Sequence, residues 1–202
     1  MNTDTTITCD VILDTALRLG ADKKHWEDLQ LYEIADELNI TLAQLSDCIS
    51  QKDALTDALF DRADRYLLER CNKTKMLPLS MRQRLHLAIM TWLDSLSPHR
   101  VVARQMLKYK LEFGHVHLQV LGLLRISRTV QWIRQVCICD ATDAKRIIEE
   151  VVLSSIYVMT FTYWLWDDSE KQQRTRDKLD NLLKLAEQGA TTLNKLSGTG
   201  SN

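Results

Sequence analysis

The chain has 202 residues, 26 Lys/Arg, 27 Asp/Glu and a formal net charge of −1, and its two prolines and six glycines leave few breaks, which suits an intracellular helical protein with a small domain followed by a larger one. No apolar run reaches the ~20 residues needed to cross a bilayer, and no Ser-His-Asp set, P-loop or Gly-rich dinucleotide turn is present, so an enzyme has no chemistry to start from and no cofactor is implied. The charge is uneven: residues 1–60 hold four Lys/Arg against twelve Asp/Glu, a net of −8 that leaves +7 for the remainder, and −8 is the wrong sign for a domain that approaches a polyanion.

After a loose tail of about nine residues, Val11, Ile12, Thr15, Ala16 and Leu19 share one face of a first helix, which Gly20 ends. Leu31, Ile34, Ala35 and Leu38 recur at helical spacing, and Leu42, Leu45 and Ile49 resume the pattern after a break at Asn39-Ile40. Two short helices joined by a tight turn result, with Thr41 capping the second: the outline of a helix-turn-helix. Ser50, followed three residues later by Asp53, opens a long fourth helix from Lys52 to about Asn72, whose Leu55, Leu59, Phe60, Ala63, Tyr66 and Leu67 carry it from the small domain into the larger one. A polar segment through Pro78 leads to a fifth helix that opens at Ser80, with Gln83 three residues on, and runs to about Ser95; Pro98 starts a sixth.

Residues 97–138 hold seven bases, Arg100, Arg104, Lys108, Lys110, Arg125, Arg128 and Arg134, against the single acid Glu112, interleaved with Met106, Tyr109, Phe113, Leu121, Leu124 and Trp132. They read as the solvated sides of two amphipathic helices, with an anionic ligand, an acidic partner or lipid headgroups as the alternative. Asp140 and Asp143 begin the most apolar helix, through Ile147, Ile148, Val151, Val152, Ile156, Phe161, Trp164 and Trp166; it is hydrophobic nearly all round, so it is expected to be buried on both sides. A last helix from about Ser169 to Ala190 shows Leu179, Leu182, Leu183, Leu185 and Ala186, and residues 191–202 form a disordered tail.

Five cysteines, at 9, 48, 71, 137 and 139, form no regular framework, and an odd count without a secretory signal points to reduced thiols and a cytoplasmic location. Cys137-Ile138-Cys139 and His115-Val116-His117 lack ligand partners at zinc-site spacing, so no metal is assigned.

Residues 9–72 resemble the N-terminal domain of TetR-type regulators: a first helix ending near Gly20, an aromatic at Trp26, Ile34-Ala35 in the second helix and Lys52-Asp53-Ala54-Leu55 opening the fourth, ungapped from Leu31 to Leu55. The resemblance implies an all-α fold of about nine helices: a helix-turn-helix domain over 1–55, a ligand-binding and dimerisation domain over 56–190, and the tail over 191–202. Double-stranded DNA is then a partner, faced by Thr41, Gln44, Ser46 and Lys52. A homodimer forms through the last two helices, with Phe161, Trp164, Leu179 and Leu183 in the interface. A small hydrophobic ligand, lined by Met90, Leu93, Met106, Tyr109, Phe113, Trp132 and Tyr157, shifts the fourth helix and so alters DNA binding.

At the reading positions the usual glycine, tyrosine, histidine and phenylalanine are here Ala43, Ser46, Cys48 and Ile49. Ser46 keeps a hydroxyl without the reach of a phenol, Cys48 is a poor phosphate donor, Asp47 brings a negative charge, and Lys52 remains as a phosphate contact. The segment from Ile156 to Gln188 is also similar to the end of the ubiquinone-biosynthesis lipid-binding proteins that share the TetR fold, matching at the Asp167-Asp168-Ser169 turn, at Thr175 and at Leu179-Asp180-Asn181. That likeness implies an alternative: a lipid- or isoprenoid-binding accessory protein in peripheral membrane contact that has lost DNA binding.

Overall fold

The computed structural model describes residues 8–111 and 116–198, and the side chains of all of these except 109–111, 116–124, 144 and 193–198. Among them the fold is all-α: α1 (Cys9–Ala21), α2 (Leu31–Glu37), α3 (Leu42–Ser46), α4 (Lys52–Arg70), α5 (Lys73–Met76), α6 (Met81–Leu96), α7 (Arg100–Leu111), α8 (Val116–Cys137), α9 (Asp143–Trp164) and α10 (Gln173–Gly198). Single 3-10 turns lie at Trp26–Asp28, Ser97–His99 and Glu170–Gln172. The one-turn α5 falls in the segment expected to be a connection. Asn72 caps it by accepting from the Lys75 N–H at 3.1 Å, and fully buried Met76 anchors it.

Two compact units divide the chain: residues 1–63 with 96–122, and residues 64–95 with 123–202. In the first, α1 buries Ile12, Leu13, Ala16 and Leu17, while Val11 is exposed and Leu19 half-buried. The inner face is thus turned from the one expected, because Leu13 and Leu17 fill the interior. The helix ends at Ala21, one residue past Gly20, as expected. A Cβ at Gly20 would lie 2.7 Å from the Trp26 ring, so the glycine admits the indole against the helix. Between α2 and α3, Asn39 takes a φ of 52°, a left-handed conformation that asparagine tolerates, and the Ile40 N–H closes the turn on the Ala35 carbonyl at 2.9 Å. Ile34, Ala35, Leu45 and Ile49 are buried around this turn, and α7 adds Val102, Ala103 and Met106 to the same unit's core.

The second unit begins within α4 at Asp64. Its core draws on Leu67, Ile89, Met90, Trp92 and Leu93, on Val130 and Ile133 of α8, and on Leu153, Ile156, Tyr157 and Trp164 of α9. Trp92 meets Tyr157 and Phe161 edge-on at 5.4 and 5.5 Å between ring centroids, and Phe161 stacks on Trp164 at 6.0 Å. Helix α9 packs on α10 but is not covered on both sides: Ile147, Ile148, Val151, Val152, Val158, Met159 and Tyr163 remain exposed, because within one chain only its inner face finds a partner. Two of the bases read as solvated are internal. Arg125 pairs with Asp64, and Arg134 reaches the Glu150 carboxylate at 3.9 Å and the Arg146 carbonyl at 3.3 Å. Helix α10 continues through Gly198, eight residues beyond the expected end, with the Thr191 and Thr192 hydroxyls donating to carbonyls four residues back; the rest of the expected tail, 199–202, lies outside the described residues.

Candidate functional site

Helices α2 and α3 form the helix-turn-helix. Buried Leu45 and, in the turn beyond α3, Ile49 hold the second helix inward, and Leu42, Ala43, Gln44, Ser46 and Asp47 face solvent. The side chains expected to meet DNA are all engaged within the head, residues 1–60. Thr41 and Gln44 form a capping box: the Gln44 N–H donates to the Thr41 hydroxyl at 3.2 Å, and the Gln44 side-chain oxygen accepts from the Thr41 N–H at 2.9 Å. The Ser46 hydroxyl donates to the Ala43 carbonyl at 2.7 Å. Lys52 turns furthest from the expected role: its ammonium donates to the carbonyls of Glu27 and Leu29 at 2.9 and 2.6 Å and lies 5.5 Å from the centre of the Trp26 ring. Burial there pulls its pKa below the ordinary lysine value, against the upward pull of Glu27, Asp28, Asp53 and Glu33. Arg18 and Lys23 pair with Glu37 and Glu33 at 2.5 Å each. Three of the four basic residues of the acidic head are therefore directed onto the head itself.

Cys9, the first residue of α1, is bonded to Cys48 in the turn beyond α3, with Cα atoms 5.3 Å apart. This corrects the expectation of five reduced thiols: a separation of 39 residues gives no sign in sequence that α1 and the end of α3 are neighbours. Cys71, Cys137 and Cys139 are free thiols.

In the second unit the Asp64 carboxylate is the centre of a buried polar cluster. It accepts from the Trp92 indole at 2.7 Å, the Arg125 guanidinium at 2.8 Å and the Thr129 hydroxyl at 3.0 Å. Burial, and next the Asp64 charge, hold the neighbouring Tyr157 phenol well above its ordinary pKa, so it stays protonated. Of the expected ligand-lining residues, Met90, Leu93 and Tyr157 lie in this unit's core, Met106 lies in the core of the first unit, and Trp132 is 39% exposed. The Tyr109 side chain and Phe113 lie outside the described residues. The cluster was missed in sequence, although Asp64 interrupts the apolar stripe of α4 and Arg125 and Thr129 are one helical turn apart.

Of the expected interface residues, Trp164, Leu179 and Leu183 are buried in the unit's own packing and Phe161 is half-buried, so the first three offer no surface to a second copy. The exposed face lies one step round α9. A groove of about 510 Å³ opens there, lined by Val158, Met159, Thr162, Tyr163, Trp166, Asp167, Arg174 and Lys178. Lys178 sits over the Tyr163 ring at 5.1 Å, and Trp166 is 67% exposed. At its end the Asp167 carboxylate, itself buried, accepts from the N–H and hydroxyl of Ser169 at 2.9 and 2.6 Å and from those of Thr175 at 2.8 and 2.7 Å. Burial opposes its ionisation, but these four bonds outweigh burial and bring the pKa down to about 2.

No protein-family model and no curated protein matches the chain. Among solved structures, it is similar to the TetR transcriptional regulator from Nitrosomonas europaea, at 41% identity and a TM-score of 0.78, over 89% of this chain and 97% of that one. A TetR transcriptional regulator from a Rhodococcus species shares the fold at a TM-score of 0.60 and 15% identity, over 85% and 93% of the two chains. Among the described residues, no helix is long and apolar enough to cross a membrane.

Proposed function

Because the chain belongs to the TetR family of transcriptional regulators, we propose that it binds double-stranded DNA as a two-fold pair through the solvent side of α3, and that a small hydrophobic ligand in the second unit alters that binding. The observation that carries this reading is the helix-turn-helix itself, in which Leu45 and Ile49 are buried and the outer side of α3 is uncovered. Gln44 is the side chain best suited to a base edge. Its bonds to Thr41 are exposed, so exchanging them for an adenine costs only about 1 kcal/mol. Lys52, held by two carbonyls, is assigned to the head's own packing and not to phosphate. The exposed apolar stripe of α9 supports pairing; the hydrophobic ligand rests on membership of the family, since Met90, Leu93 and Tyr157 are themselves buried side chains of this unit's core.

A second reading, a lipid- or isoprenoid-binding accessory protein that does not bind DNA, is favoured by the same internal engagement of Lys52, Arg18 and Lys23 together with the head's net charge of −8. Fluorescence anisotropy separates the two, using a labelled duplex from upstream of the protein's own gene and a random duplex, each at two salt concentrations. On the regulator reading the unmodified chain prefers the first duplex, and Asp47→Arg strengthens binding to both and steepens the salt slope by about one phosphate contact. Absence of binding to either duplex, only partly rescued by that arginine, selects the accessory reading.

A further inference from the structure

We propose that Cys9 and Cys48 form a thiol–disulfide switch that sets the order of the recognition helix, taking its electrons from, and returning them to, small-molecule thiols. The site rests on three features. First, the bond joins the first residue of α1 to the turn that follows α3, so it ties the end of the reading element to a longer helix whose inner face is fully buried. Second, α3 has only five residues, too few to hold a helical conformation by local bonds, and its packing relies on Leu45 and Ile49. A cross-link at Cys48 therefore acts where local stability is least. Third, Cys9 is exposed and Cys48 half-buried, so a small thiol or disulfide reaches the pair.

The remaining cysteines are poorly suited to compete. Burial raises the thiol pKa of Cys71 and Cys137, and burial together with Glu149 pushes that of Cys139 up to about 12, so little thiolate is present at neutral pH.

The oxidant is a low-molecular-weight disulfide of the glutathione class. The Cys9 thiolate attacks one of its sulfurs and releases the first small thiol, leaving a mixed disulfide on Cys9. The Cys48 thiolate then attacks the Cys9 sulfur and releases the second. Two electrons pass from the protein pair to the small disulfide, and the two thiol protons leave on the released thiols. Reduction runs the same steps in reverse. The oxidised head is the form with α3 ordered, and, resting on the DNA-binding reading above, it is also the tighter-binding form, because a preordered helix loses less conformational freedom on docking.

The test uses the full chain equilibrated with either the small thiol or its disulfide. After denaturation and alkylation, mass spectrometry is expected to find three labelled cysteines and a peptide linking residues 9 and 48 in the oxidised form, and five labelled in the reduced form. Amide exchange over residues 41–50 is expected to be about tenfold slower in the oxidised form, and the melting temperature of the chain to rise by about 10 °C for a loop of this length. Cys9→Ser, at an exposed position, should exchange like the reduced chain under either condition. Duplex affinity should fall about tenfold on reduction of the parent and be indifferent to redox state in Cys9→Ser. Five labelled cysteines in the oxidised sample, or equal exchange in the two forms, overturns the switch. If neither form binds DNA, the DNA-binding reading fails while the exchange measurement still decides the switch.

Discussion

Replacing Asp64 by alanine removes the acceptor shared by the Trp92 indole, the Arg125 guanidinium and the Thr129 hydroxyl, all of which are buried. The largest consequence falls on Arg125, whose charge loses the carboxylate 2.8 Å away without gaining access to water. Breaking a buried pair from one side costs about 3–5 kcal/mol. For a chain of this size, each kcal/mol shifts the melting temperature by roughly 2–4 °C, so Asp64→Ala should lower it by about 10 °C. Melting followed by circular dichroism and by urea titration measures the loss. With Arg125→Met added, at least half of the lost stability should return, because the buried charge left without its carboxylate is then removed as well. A melting temperature for Asp64→Ala within about 2 °C of the parent, or a double variant less stable than the single one, would refute this account.

Two other outcomes follow from the second unit. Trp166→Glu places a charge in the exposed groove beside α9, so light scattering at micromolar concentration should show a folded monomer where the parent is a dimer; a monomeric parent would remove the pairing on which the regulator reading depends. The Asp167 carboxyl is depressed to about 2 in the folded chain, so its contribution to stability is fully present above the ordinary carboxylate value near ~4 and is lost as pH falls through about 2. The difference in stability between parent and Asp167→Asn should therefore shrink as pH is lowered from about 4 to 2, and a difference that stays constant across that window counts against the assignment.

The helices were legible because their apolar positions recur at helical spacing. The turn at Asn39-Ile40, the start of α4 at Lys52 and the cap at Thr41 all stand where the residues placed them. What escaped was whatever depends on the direction of a single side chain. Lys52 has the same sequence signature whether it points at a phosphate or at the carbonyls of Glu27 and Leu29; only the position of the Trp26 turn selects the second. Arg125 lies among bases that share its composition, and its burial is decided by an acid 61 positions away. Gly20 marks the helix end correctly to within one residue, but its close approach to an indole has no signal in the sequence. The face that α9 leaves uncovered was hidden for a different reason. A helix apolar on all sides does not reveal which side its own chain covers, so the sequence points to Trp164 for the dimer interface, whereas Trp164 is buried and Trp166 is exposed.

The placement of the tryptophans gives the protein a built-in optical gauge. Trp26, Trp92 and Trp164 are fully buried, Trp132 is 39% exposed, and Trp166 is 67% exposed in the groove beside α9. An indole surrounded by water emits at longer wavelength than one surrounded by side chains, so if the pairing proposed above covers Trp166, the unlabelled protein's fluorescence moves toward the blue as concentration rises. Iodide, which quenches only what it can touch, would then lose access to the same ring, and the proposed pairing would be visible in light that the chains themselves emit.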